Sequence, residues 1–308
     1  MIKIDLITGF LGSGKTTFIK IYAQYLSKQG YKIGIIENDF GAVNVDMMLL
    51  QESIGHQCDL EMISGGGDQQ THYRRLKTKL IAMGMLGYDR ILIEPSGIFD
   101  VDEFFDILYE EPLAQWYEIG NIITIVNAQL ENQLSYASEY MLASQIACTG
   151  KIILSQCQEV SQEDIERTIE HIHQALLNVQ CSRHIDKDIL IKDWNNLTYE
   201  DFLAIESCGY CQESFLKRRV DHYFESLYYF HIHITKEKLY DSVDKIMHDS
   251  MCGQVFRIKG FMQIDHQWFE LNATQCHIDI NPINNGQDII IVIGENLNDK
   301  QIQTYWKG

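Results

Sequence analysis

Basic residues and prolines are scarce in this chain. Lysine and arginine number 25 against 43 aspartates and glutamates, a formal net charge of -18. A nucleic acid or an anionic membrane surface needs a basic face to neutralise its phosphates, so this deficit argues against both as partners. The local basic run Arg74-Arg75-Leu76-Lys77-Thr78-Lys79 reads as a solvated helix face. With 3 prolines in 308 residues and 45% hydrophobic content, disorder and low complexity are set aside, and the length allows two domains. No window holds about eighteen uninterrupted apolar residues, and the start MIKIDLITGF has no basic region followed by a long apolar core. The expectation is a soluble, cytoplasmic protein.

A paired-cysteine framework is also missing. Eight cysteines (Cys58, Cys148, Cys157, Cys181, Cys208, Cys211, Cys252 and Cys276) are scattered without regular spacing, which favours reduced thiols over disulfides. One pair, Cys208-Gly209-Tyr210-Cys211, has metal-ligand spacing. Without a second pair the signal is weak, and it reads as two thiols in a connecting segment, with a metal or redox role as the alternative.

What the chain does have is Gly9 to Thr17, GFLGSGKTT, placed between an apolar run, Ile2 to Ile7, and a stretch whose apolar residues recur at helical spacing from Phe18 onward. Strand, glycine loop and helix in that order form a phosphate-binding loop. Glycines let successive N–H groups converge on one anion, and the helix N-terminus adds partial positive charge. Gly12, Ser13, Gly14, Lys15, Thr16 and Thr17 are therefore the candidate nucleotide-binding residues. Lys15 reaches the β- and γ-phosphates, and the Thr16 hydroxyl is a candidate ligand for Mg2+.

Further apolar runs end in polar residues at Glu37-Asn38-Asp39, Glu94-Pro95-Ser96-Gly97, Asn127-Ala128 and Ser155 to Gln158. In open α/β sheets the carboxyl ends of strands face the ligand crevice. Glu94 is a candidate metal-site and catalytic residue holding Mg2+ through a water, and Gly97 a candidate amide donor to the γ-phosphate. Glu37 and Asp39 are catalytic candidates as water-positioning or ligand groups, with solvated loop acids as the alternative. Helical stretches at Ala137 to Ala147 and Glu163 to Leu177 alternate with these runs, which predicts an α/β fold with a mostly parallel sheet over residues 1–185. Residues 186–222 read as a connection. A smaller α+β domain follows at 223–308, with strands at Phe230 to Ile234, Val255 to Met262, Trp268 to Leu271 and Ile289 to Ile293 and a helix at Lys236 to His248.

GFLGSGKTT, then Glu37-Asn38-Asp39-Phe40-Gly41, then Glu94-Pro95-Ser96-Gly97, resembles the CobW family of P-loop GTPases. In the second domain Arg257-Ile258-Lys259-Gly260 looks like the family's RxKG strand. The resemblance implies a P-loop NTPase fold and a slow, Mg2+-dependent GTPase acting as a molecular switch. It also implies a client metalloprotein or corrinoid protein, nucleotide-dependent homodimerisation, and associations with zinc or cobalt handling and cobalamin metabolism.

Two departures qualify those expectations. Gly66, Asp68 and Gln69 occupy the cysteine positions of the family's GCxCC metal motif, so no thiolate site forms there. Asp68, Glu37 and His72 remain oxygen and nitrogen donors for a harder ion, against the alternative of a glycine-rich loop. Ser155, Gln156, Cys157 and Gln158 replace NKxD, whose aspartate reads guanine. Hydrogen bonds to charged groups contribute about 1.5 to 3 kcal/mol against about 1 for neutral ones, so GTP selectivity is expected to weaken and ATP becomes an alternative substrate. A nucleotide-binding interaction module with little turnover and a small-molecule kinase are the competing readings.

Overall fold

The computed structural model describes residues 1–38, 58–63, 69–95, 101–131, 134–217, 224–275 and 277–307. Asp39, Asp68, Gly97 and Cys276 lie outside them, as does the His72 side chain. The chain divides into two compact units, Met1–Arg219 and Val220–Gly308.

The first unit is a seven-stranded sheet. Its strands are β1 (Ile2–Thr8), β2 (Ile33–Asn38), β3 (Cys58–Ile63), β4 (Arg90–Glu94), β5 (Tyr117–Asn127), β6 (Lys151–Ser155) and β7 (Ile189–Ile191), in the order β3-β2-β4-β1-β5-β6-β7. Every pairing is parallel. Parallel strands need crossover connections, so helices cover both faces and the central strands are largely apolar. Ile4, Leu6, Ile36, Ile91 and Ile93 pack on one face with Leu76, Leu80 and Phe104. Ile7, Ile33, Ile35, Leu92, Ile123 and Ile153 pack on the other with Phe18, Tyr22 and Leu26 of the first helix, α1 (Lys15–Lys28). Each such side chain contributes about 1.5 to 3 kcal/mol when fully buried.

The helix Gln69–Met83 carries the basic run as expected, with Arg74 and Arg75 exposed and Leu76 and Leu80 buried. The stretch read as a connection contributes β7 and the helix Tyr199–Glu206, whose Phe202 and Ile205 join the same core as Phe18.

A buried polar cluster stands inside this unit. Asp5 Oδ2 accepts from Arg90 Nη1 at 2.6 Å and Tyr22 OH at 3.0 Å, while Oδ1 accepts from the backbone and side-chain nitrogens of Asn121 at 3.0 Å each. Burial pushes the Asp5 carboxyl up, and the Arg90 guanidinium and these hydrogen bonds pull it back. Tyr25 and Tyr31 donate to the Glu206 carboxylate, tying the helix Tyr199–Glu206 to α1 and its following turn.

The second unit is an antiparallel sheet of β8 (Phe224–Phe230), β9 (Gln254–Ile264), β10 (Gln267–Ala273), β11 (Ile278–Ile283) and β12 (Ile289–Glu295), ordered β11-β10-β9-β12-β8. The helices Lys236–His248 and Asp299–Trp306 cover one face through Leu239, Val243, Ile246, Ile302 and Trp306. The P-loop α/β architecture and the α+β second unit agree with the sequence. The strand expected at Phe230 to Ile234 does not form. The ladder runs over β8 and ends at Phe230, and His231, whose φ of 55° is left-handed, lies outside it.

Candidate nucleotide-binding site

The glycine loop joins β1 to α1 through three glycines at positive φ, Gly9, Gly12 and Gly14. A Cβ on Gly9, which has φ 144°, would lie 2.2 Å from Ile125 O, so only glycine lets the loop pass this close to β5. Gly14 caps α1 with φ 93° and ψ 20° and supplies no side chain to the first turn. The N–H groups of Lys15, Thr16 and Thr17 precede the helical ladder, which begins at Phe18 N donating to Gly14 O at 3.0 Å. No acidic side chain occupies that turn. It is a group of convergent donors at the positive end of a 14-residue helix.

Lys15 is folded back over the loop, its Nζ donating to Gly9 O at 2.9 Å and Phe10 O at 3.3 Å. The Thr16 Oγ1 donates to Glu94 Oε1 at 2.8 Å. Glu94 ends β4, and its register partner on the neighbouring β2 is Glu37. Both carboxylates are buried at the carboxyl ends of their strands. The sheet thus brings Lys15, Thr16, Glu94 and Glu37 to one place. Gly12, with φ 75°, and buried Ser13 complete the loop, and Thr17 is exposed. A hydroxyl and a carboxylate 2.8 Å apart are hard oxygen donors that suit a magnesium ion. Thr16 would ligate it and Glu94 would hold it through a water, neutralising phosphate charge.

On the other side of α1 the loop meets a residue that sequence reasoning passed over. A Cβ on Gly14 would lie 3.2 Å from Trp194 Cη2 and 3.8 Å from Ser155 Cβ. Trp194 opens a short 3-10 helix just after β7, donates Nε1–H to Leu154 O at 3.2 Å, and meets Phe18 edge-on at 5.6 Å between ring centroids. A lone aromatic in a polar stretch gave no sequence signal. Gln156 follows β6 in the left-handed region with φ 57°, an uncommon conformation for glutamine. Its Oε1 is buried with no hydrogen-bond partner among the described residues. Gln158, at the position of the guanine-reading aspartate, is exposed beside Glu159.

The other candidate ligands are engaged elsewhere. Cys208 Sγ lies 3.5 Å from Asn121 Oδ1, and burial pushes its thiol up to about 12. His171 bonds Glu139 at 2.5 Å and His173 bonds Asp186 at 3.1 Å, in different directions because residues two apart on a helix do not share a face. Among the described residues no group of three His, Cys, Asp or Glu is arranged to hold a metal ion.

Residues 3–184 match the CobW/HypB/UreG nucleotide-binding domain, and residues 227–308 match the cobalamin synthesis protein CobW C-terminal domain. The chain belongs to the CobW/HypB/UreG family. Among relatives of this CobW-type chain, the zinc chaperone YjiA of Escherichia coli K12 is 28% identical over 192 residues, 58% of this chain and 55% of the relative. The zinc chaperone YeiR of the same organism is 29% identical over 164 residues, 53% of this chain and 49% of the relative. A Dictyostelium discoideum protein named zinc-regulated GTPase metalloprotein activator 1 is 24% identical over 306 residues, 85% of this chain and 63% of the relative. The match to the two bacterial relatives spans about half their length. Among the described residues no helix is long and apolar enough to cross a membrane.

Proposed function

We propose that this chain binds a magnesium nucleoside triphosphate and hydrolyses it slowly as a molecular switch, with GTP the family's nucleotide and ATP a competing substrate. The observation that carries the reading is the joined pair of Thr16 and Glu94 beside the Lys15 loop. Phosphoryl transfer asks a protein chiefly for positioned phosphates and stabilised charge, and this loop offers both. Lys15 would exchange its two carbonyl acceptors for β- and γ-phosphate oxygens. The N–H groups at the start of α1 would hold the phosphate chain, and Glu37, the register partner of Glu94, would orient a water. Asp39 and Gly97 remain proposed contributors, as water-positioning acid and γ-phosphate amide donor.

Membership in this family supports a role in metallochaperone work, and the relatives' names point to zinc. The client is proposed to be a metalloprotein or corrinoid protein, in the cytoplasm, with homodimerisation under nucleotide control. Because Gly66, Asp68 and Gln69 stand where the family motif has thiols, metal handling through that motif is not part of the proposal. Titration of the metal-free protein with magnesium plus GTP or ATP, following affinity and phosphate release, tests the reading. Binding with slow release of phosphate and no added acceptor is expected. Binding without turnover replaces the switch by an interaction module, acceptor-dependent transfer replaces it by a kinase, and no binding overturns it.

A further inference from the structure

The direction in which a nucleotide would lie follows from what flanks α1. Thr16, on the side of β4, reaches Glu94, and this pair would hold a magnesium ion that neutralises charge at the terminal phosphates. The γ end therefore points to β4 and β2. The strand order places β6 and β7 on the opposite side of β1, so the nucleoside end emerges past Gly14 toward Ser155 and Trp194. There the half-buried indole is held at three points, by Gly14, Phe18 and Leu154 O. Two residues beyond Leu154 and next to Ser155 in the chain, Gln156 adopts a left-handed backbone that is uncommon for its residue type and keeps a buried amide oxygen without a partner among the described residues.

We propose that Trp194 is the stacking platform for the purine base of the nucleotide, with Gln156 Oε1 accepting a hydrogen from the base's polar edge. This rests on the nucleotide-binding reading above and extends it to the question of which base is read. An aromatic face accepts any purine, because every base has a π-face, and a neutral amide oxygen takes one hydrogen bond from guanine or adenine alike. A charged, two-pronged acceptor would separate the two bases, and this pairing does not. The site therefore holds purine nucleotides with little preference between GTP and ATP.

The test compares binding of Mg-GTP, Mg-ATP and Mg-tripolyphosphate by calorimetry in the wild-type protein and in Trp194→Ala, Trp194→Phe and Gln156→Ala. Trp194→Ala is expected to weaken GTP and ATP by about tenfold or more, from the usual range for one stacked base, and to leave tripolyphosphate within about twofold. Trp194→Phe keeps a ring and recovers most of the loss. Gln156→Ala weakens GTP and ATP by similar factors. Tryptophan fluorescence should respond to nucleotide but not to tripolyphosphate, and Trp194→Phe should lose that response although Trp116, Trp268 and Trp306 remain. Equal losses for nucleotide and tripolyphosphate in Trp194→Ala would show that the indole only props Gly14, and unchanged nucleotide affinity would show that the base lies elsewhere. Either result overturns the platform while leaving nucleotide binding intact. Failure of the wild-type protein to bind any of the three ligands overturns the underlying reading instead.

Discussion

The Thr16 hydroxyl and the Glu94 carboxylate meet at 2.8 Å, joining the first turn of α1 to the carboxyl end of β4. Glu94→Gln keeps an acceptor for Thr16 but removes the negative charge. It should erase about ten- to a hundredfold of the magnesium-dependent part of nucleotide affinity, because charge-assisted contacts are the stronger ones. Affinity measured with magnesium and with a chelator checks this, and an unchanged ratio of the two would remove Glu94 from the metal site.

Lys15→Ala should abolish detectable triphosphate binding while leaving the fold in place, since it removes the ammonium that now donates to the Gly9 and Phe10 carbonyls and would turn to the phosphates. Calorimetry together with circular dichroism separates the two effects. A variant that still binds nucleotide contradicts the loop's assignment.

Gly14→Ala should be destabilising by about 1 to 3 kcal/mol, because φ 93° is strained for a residue with a Cβ and because that Cβ would press on Trp194 at 3.2 Å. Denaturant unfolding measures it. A loss confined to nucleotide affinity, with stability unchanged, would mean that the loop relaxes around the methyl group.

Asp5→Ala removes the carboxylate 2.6 Å from Arg90 Nη1 and leaves a buried guanidinium whose remaining carboxylate, Glu206 Oε1, is 3.7 Å from Nη2. The expected cost is about 3 to 5 kcal/mol. Restoring stability with a second change, Arg90→Met, would show that the penalty came from the stranded charge and not from lost packing.

Cys208 carries a thiol pushed up to about 12, so at pH 8 its thiolate fraction is about a thousandfold below that of an ordinary cysteine. Iodoacetamide labelling followed by mass spectrometry should find it slow in the folded protein, with a rate rising about tenfold per pH unit. The folded chain holds this proton more tightly than the unfolded chain does. Its contribution to stability is therefore complete below the unfolded thiol value and declines as pH climbs toward 12.

How much of this was readable beforehand depended on whether a residue's role is local. The loop from Gly9 to Thr17 announces itself because glycine spacing, the lysine and the flanking apolar runs all lie within one short window. Thr16 and Glu94 were each identifiable, and their meeting needed only the adjacency of β1 and β4 that a parallel sheet supplies. Cys58–Ile63 escaped notice because CDLEMI is a half-buried edge strand whose polar residues break the apolar run. The three-residue β7 is too short to show a period. Phe230 to Ile234 alternates as convincingly as Phe224–Phe230 does, and pattern alone carries no information about the left-handed turn at His231. Trp194 was invisible for a different reason. Its place beside Gly14 is made by chain 180 residues away, and no spacing rule encodes such a meeting.

One edge of each sheet is finished differently from the interior strands. β7 spans only Ile189–Ile191, and β11 carries Pro282, which has no N–H to offer a neighbour. Both are poor templates for adding a strand from another molecule, so they guard these edges against open-ended polymerisation. Any pairing of two copies at these borders must be negotiated by side chains, which leaves assembly sensitive to whatever rearranges those side chains.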